Sequence, residues 1–422
     1  MKQRIWEAIK SVLIVVLLCS LLLLVAASLP SESIRNTPWL STVLQPFGRI
    51  LSLPQAELSY VETELSVMDA AQPLAISVRN HAGRTSFLWD FDSLDTGFET
   101  LGSLLAEAMD TAGEFRPASN QQIYDALSET SVYFSYESTL PVSMLAAWLD
   151  VNLQSAPEHA SAAILAIGEE QVQLFLLDTN AAYTAQTQID SDTLIMLLEA
   201  YRPDGSAFAF EQQPTLDPLT LLPPDNFSIY EATSENPCTG RFLEQLATTL
   251  GFNPYGDASY TNGQGDIFYS ENNCSLTIRA DGMLQLEAEQ VPRFRAAGTG
   301  DTELVEEARR LLDLVTGTTL GSARLYLTDL TRTENETVCT FSYFLSGLPV
   351  ETDRVSAVVR FNGSYLSQMQ VHLITYRLTT VAINLLPPNH AAAILPAGSR
   401  LAPAYGDNGT GLLTAGWKKP DY

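Results

Sequence analysis

The stretch TIRADGMLQLE at residues 277–287 predicts a β-hairpin, and VVRFNGSYLSQ at 358–368 repeats its pattern. In each stretch an arginine, Arg279 or Arg360, stands two residues before Asp-Gly or Asn-Gly, and apolar residues alternate on both sides. Such pairs are the strongest short hairpin signals, because both central positions of a two-residue turn need positive φ. The two arginines stand where surface arginines commonly pair across strands. Neither copy offers a nucleophile beside a base, so the repetition predicts architecture rather than two active sites.

Each predicted hairpin belongs to a region that begins with an amphipathic helix. In the region 227–297, Phe242 and Leu246 belong to an apolar stripe at helical spacing, and in the region 298–422 a longer stripe extends over 304–315. Runs with the alternation of β-strands follow both helices. We therefore predict an α+β fold whose last part consists of two smaller related modules, each a helix packed on an antiparallel sheet. The module at 298–422 also includes the C-terminal segment.

The region before these modules predicts a larger N-terminal α+β domain over residues 61–202. Strand–turn–strand patterns at 73–92 and 162–178 alternate with helical stretches, an order typical of α+β domains. Ser119 and Gln122 have the spacing of a capping box at the start of one of these helices. Residues 203–226 contain five prolines. Because proline lacks a hydrogen-bond donor and has a fixed φ, we interpret 203–226 as a Pro-rich linker. Pro and Ser are also frequent in 30–60, which we interpret as a stalk.

The N-terminus has a pattern typical of a membrane anchor. Lys2, Arg4 and Lys10 lie in residues 1–10, and residues 11–29 contain no charged residue. About 20 apolar residues span a bilayer core, whereas the apolar core of a cleavable signal peptide is usually about 7–15 residues long. We therefore predict a transmembrane anchor at 11–29, with a cleavable signal peptide as the alternative. The positive-inside bias predicts a single-pass protein of the cell membrane, with residues 1–10 in the cytoplasm and the C-terminal ectodomain outside.

The charge of the chain limits the class of its partners. The formal net charge is −26, although the first ten residues are basic. Because proteins bind nucleic-acid phosphates through Lys and Arg, we do not expect this acidic chain to bind nucleic acid. The acidic ectodomain is typical of a solvated surface that keeps a protein soluble.

The four cysteines give two predictions about specific residues. Cys238 and Cys274 are the candidate disulfide pair, and free buried thiols are the alternative. Cys19 and Ser20 are the weakly polar residues at mid-depth of the predicted anchor, and they are the candidate contacts with a partner helix. The alternative for Ser20 is a hydrogen bond to its own helix backbone.

Sequence motifs of catalysis are missing. The four histidines have no metal-ligand spacing, and there is no nucleophile elbow or phosphate-binding loop. The acidic stretch at 90–99 fails the EF-hand pattern, because Asp95 stands where the loop needs glycine. We therefore predict a non-enzymatic protein with no catalytic residue, metal site or cofactor. A carboxylate-dependent envelope hydrolase is a lesser alternative, since two converging acids suffice for glycoside hydrolysis.

Several longer stretches together resemble one known family. They are VYFSYESTLPVSMLAAWL at 132–149, CSLTIRADGMLQLEA at 274–288, FSYFLSGLPV at 341–350 and the closing stretch from 401, which contains Tyr405 and Trp417. With the short basic tail and one anchor helix, the chain resembles the YycH/YycI regulatory proteins, which occur beside a sensor histidine kinase controlling cell-wall metabolism in low-GC Gram-positive bacteria.

The resemblance implies a role in signal transduction. It implies an extracytoplasmic regulator of a two-component system, which binds a sensor histidine kinase, together with a paralogous co-regulator, and adjusts the activity of the kinase. It assigns no individual contact residue. A structural or assembly protein of the cell envelope is the alternative function.

Overall fold

The structure describes the part of the chain that follows the predicted stalk. The computed structural model describes residues 70–418 except 154, 214, 225–226, 318 and 394. The predicted tail, anchor and stalk, with Cys19 and Ser20, lie outside the described residues. Within the described residues, no helix is long and apolar enough to cross a membrane.

The N-terminal region forms an antiparallel sheet that is covered on both faces. Among the described residues its strands are β1 (Ala75–Asn80), β2 (Gly83–Phe87), β3 (Arg116–Pro117), β4 (Ser131–Pro141), β5 (His159–Ala166), β6 (Gln171–Leu177) and β7 (Ala182–Asp190). Their order across the sheet is β2-β1-β4-β5-β6-β7-β3. The helices of this region are α1 (Phe91–Asp110), α2 (Asn120–Ser128), α3 (Val142–Trp148) and α4 (Ser191–Leu198).

Alternation along β4 shows why both faces of this sheet are buried. Val132 and Phe134 pack into the core that contains α1, α3 and α4, whereas Tyr133 packs into a second core with Ile123 and Leu127 of α2. Successive side chains of a strand point to opposite faces, so one strand supplies both cores. The helix α2 begins with the predicted capping box, in which the Gln122 amide N–H donates to Ser119 Oγ and the Ser119 amide N–H donates to Gln122 Oε1.

The Pro-rich segment 203–226 packs into the fold instead of forming an open linker. It contains β8 (Ala207–Phe208), α5 (Ala209–Gln212) and β9 (Leu221–Leu222), and β8 pairs with β9. Phe208, Leu216 and Leu222 are almost fully buried. Phe208 packs on the N-terminal sheet beside Tyr133, whereas Leu216 and Leu222 pack into a small core with Leu401. Burial of these apolar side chains stabilises the segment, because it removes them from water.

The rest of the chain forms one larger sheet. Its strands, thirteen among the described residues, are β10 (Ile229–Glu235), β11 (Ser259–Thr261), β12 (Ile267–Glu271), β13 (Cys274–Ile278), β14 (Met283–Ala288), β15 (Ala323–Arg332), β16 (Thr337–Leu345), β17 (Leu348–Thr352), β18 (Ala357–Asn362), β19 (Tyr365–His372), β20 (Thr375–Ile383), β21 (Pro403–Asp407) and β22 (Leu412–Trp417). The helices of this part are α6 (Gly240–Thr249), α7 (Asp301–Thr316) and α8 (Pro388–Ala392), with a 3₁₀ turn at Pro292–Phe294.

The two quoted stretches form adjacent hairpins in this sheet. The first is β13–β14 and the second is β18–β19, and β14 pairs with β19 in the register Leu284↔Val371 and Leu286↔Met369. The prediction of mixed helices and antiparallel sheets is therefore confirmed. The regions 227–297 and 298–422, however, share one continuous sheet, because β14 of the first hairpin pairs with β19 of the second across the expected boundary.

The hairpin turns differ in detail from the prediction. In the first, the Gly282 amide N–H donates to the Arg279 carbonyl, and Gly282 has a φ of 92°. In the second, Gly363 has a φ of 59°. Neither Asp281 nor Asn362 has positive φ, so Asp-Gly and Asn-Gly are not the two central turn residues that the sequence predicted. The first hairpin has a three-residue loop, 280–282, that ends on Gly282. The second has a two-residue loop of Gly363 and Ser364, because Asn362 pairs with Tyr365.

Seven strands of the large sheet enclose a separate core. Pairing runs from β15 through β16, β17, β21, β22 and β10 to β20, and a bridge between Gly321 and Tyr376 links β20 back to the start of β15. Tyr343, Tyr376 and Tyr405 are buried inside this circuit. The Tyr343 hydroxyl donates to the His372 carbonyl, the Tyr376 hydroxyl to Asp407 and the Tyr405 hydroxyl to the Tyr230 carbonyl, so these buried polar groups are satisfied.

Candidate functional site

A cleft runs between the N-terminal sheet region and the large sheet. It contains a first cavity of about 380 Å³, a second of about 320 Å³ and a small one of about 30 Å³ between them. The first and small cavities share Trp148 and Tyr326, and the small and second cavities share Tyr136 and Glu137. Ligand sites often lie between packed regions and have volumes of roughly 300–1,000 Å³. The cleft is therefore the candidate functional site.

An ion pair between the two regions lines the first cavity. Arg324 on β15 donates to both carboxylate oxygens of Asp95 on α1, at 2.7 and 2.6 Å. Its guanidinium also lies over the Phe91 ring, 4.2 Å from the centroid, and donates to Gln72 Oε1 at 3.1 Å. The hydrogen bonds from Arg324 hold the pKa of Asp95 below its usual value, against the opposing effect of burial. Asp95 therefore works as a structural anion.

A second polar group of this cavity joins α3 to α7. Trp148 Nε1 donates to Glu306 Oε1 at 2.7 Å, and Arg309 Nη1 donates to the same oxygen at 2.9 Å. Asp313, on the next turn of α7, also lines the cavity. Burial raises the pKa of Asp313 above its usual value, although the nearby Arg309 guanidinium offsets part of the rise.

Two carboxyl groups with pKa values shifted in opposite directions thus line one cavity, which is a pattern seen in glycosidases. Both oxygens of Asp95 accept hydrogen bonds from Arg324, however, and Asp95 also accepts one from Gln72. These three hydrogen bonds fix the orientation of the Asp95 carboxylate, and this favours a structural role for Asp95.

The second cavity is built on an irregularity of β4. Pairing between β4 and β5 shifts between Ser135 and Leu140, so the residues between them leave the regular ladder. Such bulges re-aim side chains and are frequent beside functional sites. Here the irregular segment puts Tyr136 and Glu137 into the cavity wall. No sequence signal predicts this bulge, because SVYFSYESTLP has the pattern of an uninterrupted strand.

Two hydroxyl groups in the wall of the second cavity have no partner. Tyr136 is 5% exposed and Thr220 is 2% exposed. Neither the Tyr136 hydroxyl nor Thr220 Oγ1 has a hydrogen-bond partner among the described residues. Burial raises the pKa of the Tyr136 phenol, so it stays protonated and can donate. Because most buried polar groups in native proteins are bonded, these two hydroxyls require an explanation.

Charged side chains of both signs line the same cavity. Arg400 Nη2 lies 3.5 Å from Ser135 Oγ and forms no ion pair within the described part of the chain. Lys418 Nζ lies 3.8 Å from Glu351 Oε1. The Glu137 side chain is exposed, yet the cavity walls around it partly desolvate its carboxyl group and raise the pKa of that group. The positive charges of Arg400 and Lys418 oppose this rise.

The predicted disulfide is not formed. Cys238, Cys274 and Cys339 are free thiols, so the Cys238–Cys274 pairing is wrong in this structure. Cys274 faces the core from β13, whereas Cys238 is half-buried ahead of α6, where its amide N–H donates to Asn236 Oδ1. Burial, with Asp281 nearby, raises the pKa of Cys238 to about 11, which leaves little thiolate for oxidation.

The arginines of the two hairpins do not share one role. Arg279 pairs with Asp281 of its own turn at 2.9 Å, and Arg360 pairs with Glu336 beside the neighbouring strand at 3.2 Å. Only Arg360 therefore makes the expected contact across strands. In the described residues, no group of three or more His, Cys, Asp or Glu side chains is placed to hold a metal ion.

Comparison with known proteins identifies no family. No protein-family model, no curated protein and no solved structure matches the chain. Its function is therefore argued from its own residues.

Proposed function

We propose that the chain is a membrane-anchored, extracytoplasmic regulatory protein of a two-component system, which modulates a sensor histidine kinase by direct contact. The observation that carries this proposal is the uncharged run 11–29 between a basic decapeptide and an acidic remainder. A helix of this length spans a bilayer, and the basic end stays in the cytoplasm. Residues 30–422 then lie outside the cell, so we expect the contact with the kinase to involve the anchor or this ectodomain.

Three exposed apolar side chains on adjacent strands of the large sheet support a binding role. Tyr230 on β10, Val381 on β20 and Leu412 on β22 are 43%, 51% and 51% exposed. These strands are neighbours, in the order β22-β10-β20. Groups of exposed apolar side chains are typical of surfaces that bind other proteins. The resemblance to YycH/YycI proteins favours a kinase and a paralogous co-regulator as the partners.

Co-purification from native membranes tests this proposal. The full-length tagged chain should recover a sensor histidine kinase after mild cross-linking. A variant whose residues 11–29 are replaced by an unrelated single-pass helix keeps the topology and tests whether the anchor, with Cys19 and Ser20, contributes to kinase binding. A Tyr230→Ser, Val381→Ser, Leu412→Ser variant tests whether the exposed apolar side chains of the large sheet contribute to it. Recovery of no kinase by the unmodified chain would overturn the proposal.

A further inference from the structure

We propose that the second cavity binds a small zwitterion with an apolar side chain, the chemistry of a free amino acid such as leucine. Three observations carry the proposal: unpartnered buried hydroxyls, an apolar wall and opposite charges that lack ion pairs. The site does not depend on the proposed regulatory function, because all of its residues lie outside the predicted anchor and in the part of the chain that the structure describes. It would make the protein a receptor for a small metabolite.

The hydroxyls supply the first argument. Tyr136 and Thr220 come from different elements, β4 and the segment before β9, and both line the second cavity. The Thr220 amide N–H donates to the Asp217 carbonyl, whereas Tyr136 lies in the irregular part of β4. Among the described residues neither side-chain hydroxyl has a partner, and protein atoms cover both oxygens almost completely. A ligand oxygen therefore reaches them only when the cavity wall shifts, and each hydroxyl can then donate one hydrogen bond.

The charges restrict the ligand class. Arg400 and Glu137 line one cavity, yet neither forms an ion pair with any described residue. A guanidinium matches a carboxylate through two parallel hydrogen bonds, and a carboxylate matches an ammonium group. Both side chains are exposed, and Lys418 adds a second positive charge to the cavity wall. A simple anion would be repelled by Glu137, and a simple cation by Arg400 and Lys418. A zwitterion can pair with Arg400 and Glu137 at once.

The walls and the volume restrict the ligand further. A large part of the lining is apolar, formed by Leu74, Ala75, Leu88, Trp89, Leu219, Leu221, Phe344, Leu348, Pro349, Leu401, Ala402 and Pro403. Such a surface gains free energy when an apolar group displaces water from it. The volume of about 320 Å³ lies at the lower end of the range for ligand sites. It fits one amino acid with an apolar side chain.

Calorimetric titration of the full-length chain in detergent micelles tests the proposal. L-leucine is expected to bind. Three matched compounds are expected to bind at least tenfold more weakly: 4-methylpentanoate lacks the ammonium group, L-leucinamide lacks the carboxylate, and glycine lacks the side chain. Equal dissociation constants for leucine and glycine would contradict the role of the apolar wall. The absence of leucine binding would overturn the proposal.

Variants of the charged residues distinguish recognition from general damage. Arg400→Gln is expected to weaken leucine binding at least tenfold and leave leucinamide binding unchanged. Glu137→Gln is expected to weaken leucine binding similarly and leave 4-methylpentanoate unchanged. Arg377→Gln, an exposed arginine outside the cavity, is the control. If both cavity variants bind leucine as tightly as the parent, the assignment of its charged groups is wrong.

The hydroxyl gives an independent test that includes folding. Tyr136→Phe is expected to weaken leucine binding severalfold while the thermal midpoint of the unliganded protein does not fall. A lowered midpoint with unchanged leucine affinity would show that the hydroxyl has a structural role and would contradict the proposal.

Discussion

Arg324 on β15 and Asp95 on α1 form a two-point ion pair, with Nη1–Oδ1 and Nη2–Oδ2 distances of 2.7 and 2.6 Å. The pair links two regions that the sequence pattern places in different domains. It stands in the first cavity of the cleft, next to Gln72 and over the Phe91 ring. The first cavity of the cleft therefore contains an ion pair between the two regions, whereas the second contains polar side chains without partners among the described residues.

Breaking the Arg324–Asp95 pair is expected to destabilise the protein modestly. Arg324→Gln should lower the free energy of unfolding by about 1 kcal/mol, because the two side chains are 37% and 42% exposed and water screens their attraction. Urea denaturation measures the change. Arg116→Gln is the control, since Arg116 and its partner Glu114 are 78% and 79% exposed, and it should change nothing measurable. Equal effects of the two variants would contradict this assignment.

The pair also predicts how stability depends on pH. The pKa of Asp95 is lowered in the folded state, chiefly by hydrogen bonds from Arg324. The stability it contributes is therefore present above the unfolded pKa of about 4 and is lost as the pH falls through the folded value. The difference in unfolding free energy between the parent and Asp95→Asn should be constant near pH 7 and narrow below about pH 4. A constant difference down to pH 2 would argue against the pKa shift.

Asp313 should show the opposite dependence. Burial raises its pKa in the folded state, although Arg309 opposes the rise. The folded state then binds the Asp313 proton more tightly than the unfolded state does. At a pH above the folded pKa the ionised Asp313 carboxylate therefore lowers the free energy of unfolding, and this loss disappears as the pH falls through the folded pKa. Asp313→Asn is expected to unfold at higher urea than the parent at pH 7, with the gap narrowing in acid. Asp353→Asn, at an exposed position, should show no gap; a less stable Asp313→Asn at neutral pH would refute the prediction.

Two buried tyrosines provide a matched comparison of satisfied and unsatisfied hydroxyls. The Tyr343 hydroxyl donates to the His372 carbonyl at 2.8 Å, so Tyr343→Phe should cost about 1 kcal/mol of stability. The Tyr136 hydroxyl has no partner among the described residues, so Tyr136→Phe should cost nothing in the unliganded protein. Thermal unfolding of both variants measures this. Similar losses would mean that Tyr136 has a hydrogen bond in solution.

The two similar hairpins should respond differently to the same substitution. At Gly282, a Cβ atom would lie 2.7 Å from the Leu373 carbonyl oxygen, and φ is 92°. At Gly363, φ is 59° and no atom lies within 4 Å of an added Cβ. Gly363→Ala should therefore cost about 1–2 kcal/mol for the left-handed conformation alone, and Gly282→Ala should cost more. Denaturation midpoints in the reverse order would contradict the difference between the turns.

The sequence predicted local structure well where short-range chemistry decides it. The two hairpins, the Ser119 capping box and the helix around Phe242 are confirmed, since each depends on residues a few positions apart. Two tight turns escaped notice: Asn272 and Asn273 both have positive φ, as do Ser346 and Gly347. Asn-Asn and Ser-Gly are less distinctive turn pairs than Asn-Gly, although asparagine adopts positive φ more readily than most residues other than glycine.

Long-range structure could not be predicted from these patterns. The pairing of β14 with β19 joins segments about 85 residues apart, and alternation shows only that each strand has a buried face. The burial of Phe208 among prolines depends on a sheet face that other strands create. The cleft depends on how two regions pack and on a bulge in β4. Its residues have no motif, so only the structure brings Tyr136, Thr220 and Arg400 together.

Reconstitution tests the central claim most directly. The partner sensor histidine kinase is placed in lipid vesicles with the full-length chain, and its autophosphorylation rate is measured with ATP. The account predicts a severalfold change in rate, which disappears when the ectodomain lacking residues 1–29 is added alone at the same concentration. An autophosphorylation rate that is the same with and without the full-length chain would contradict the proposed regulatory function.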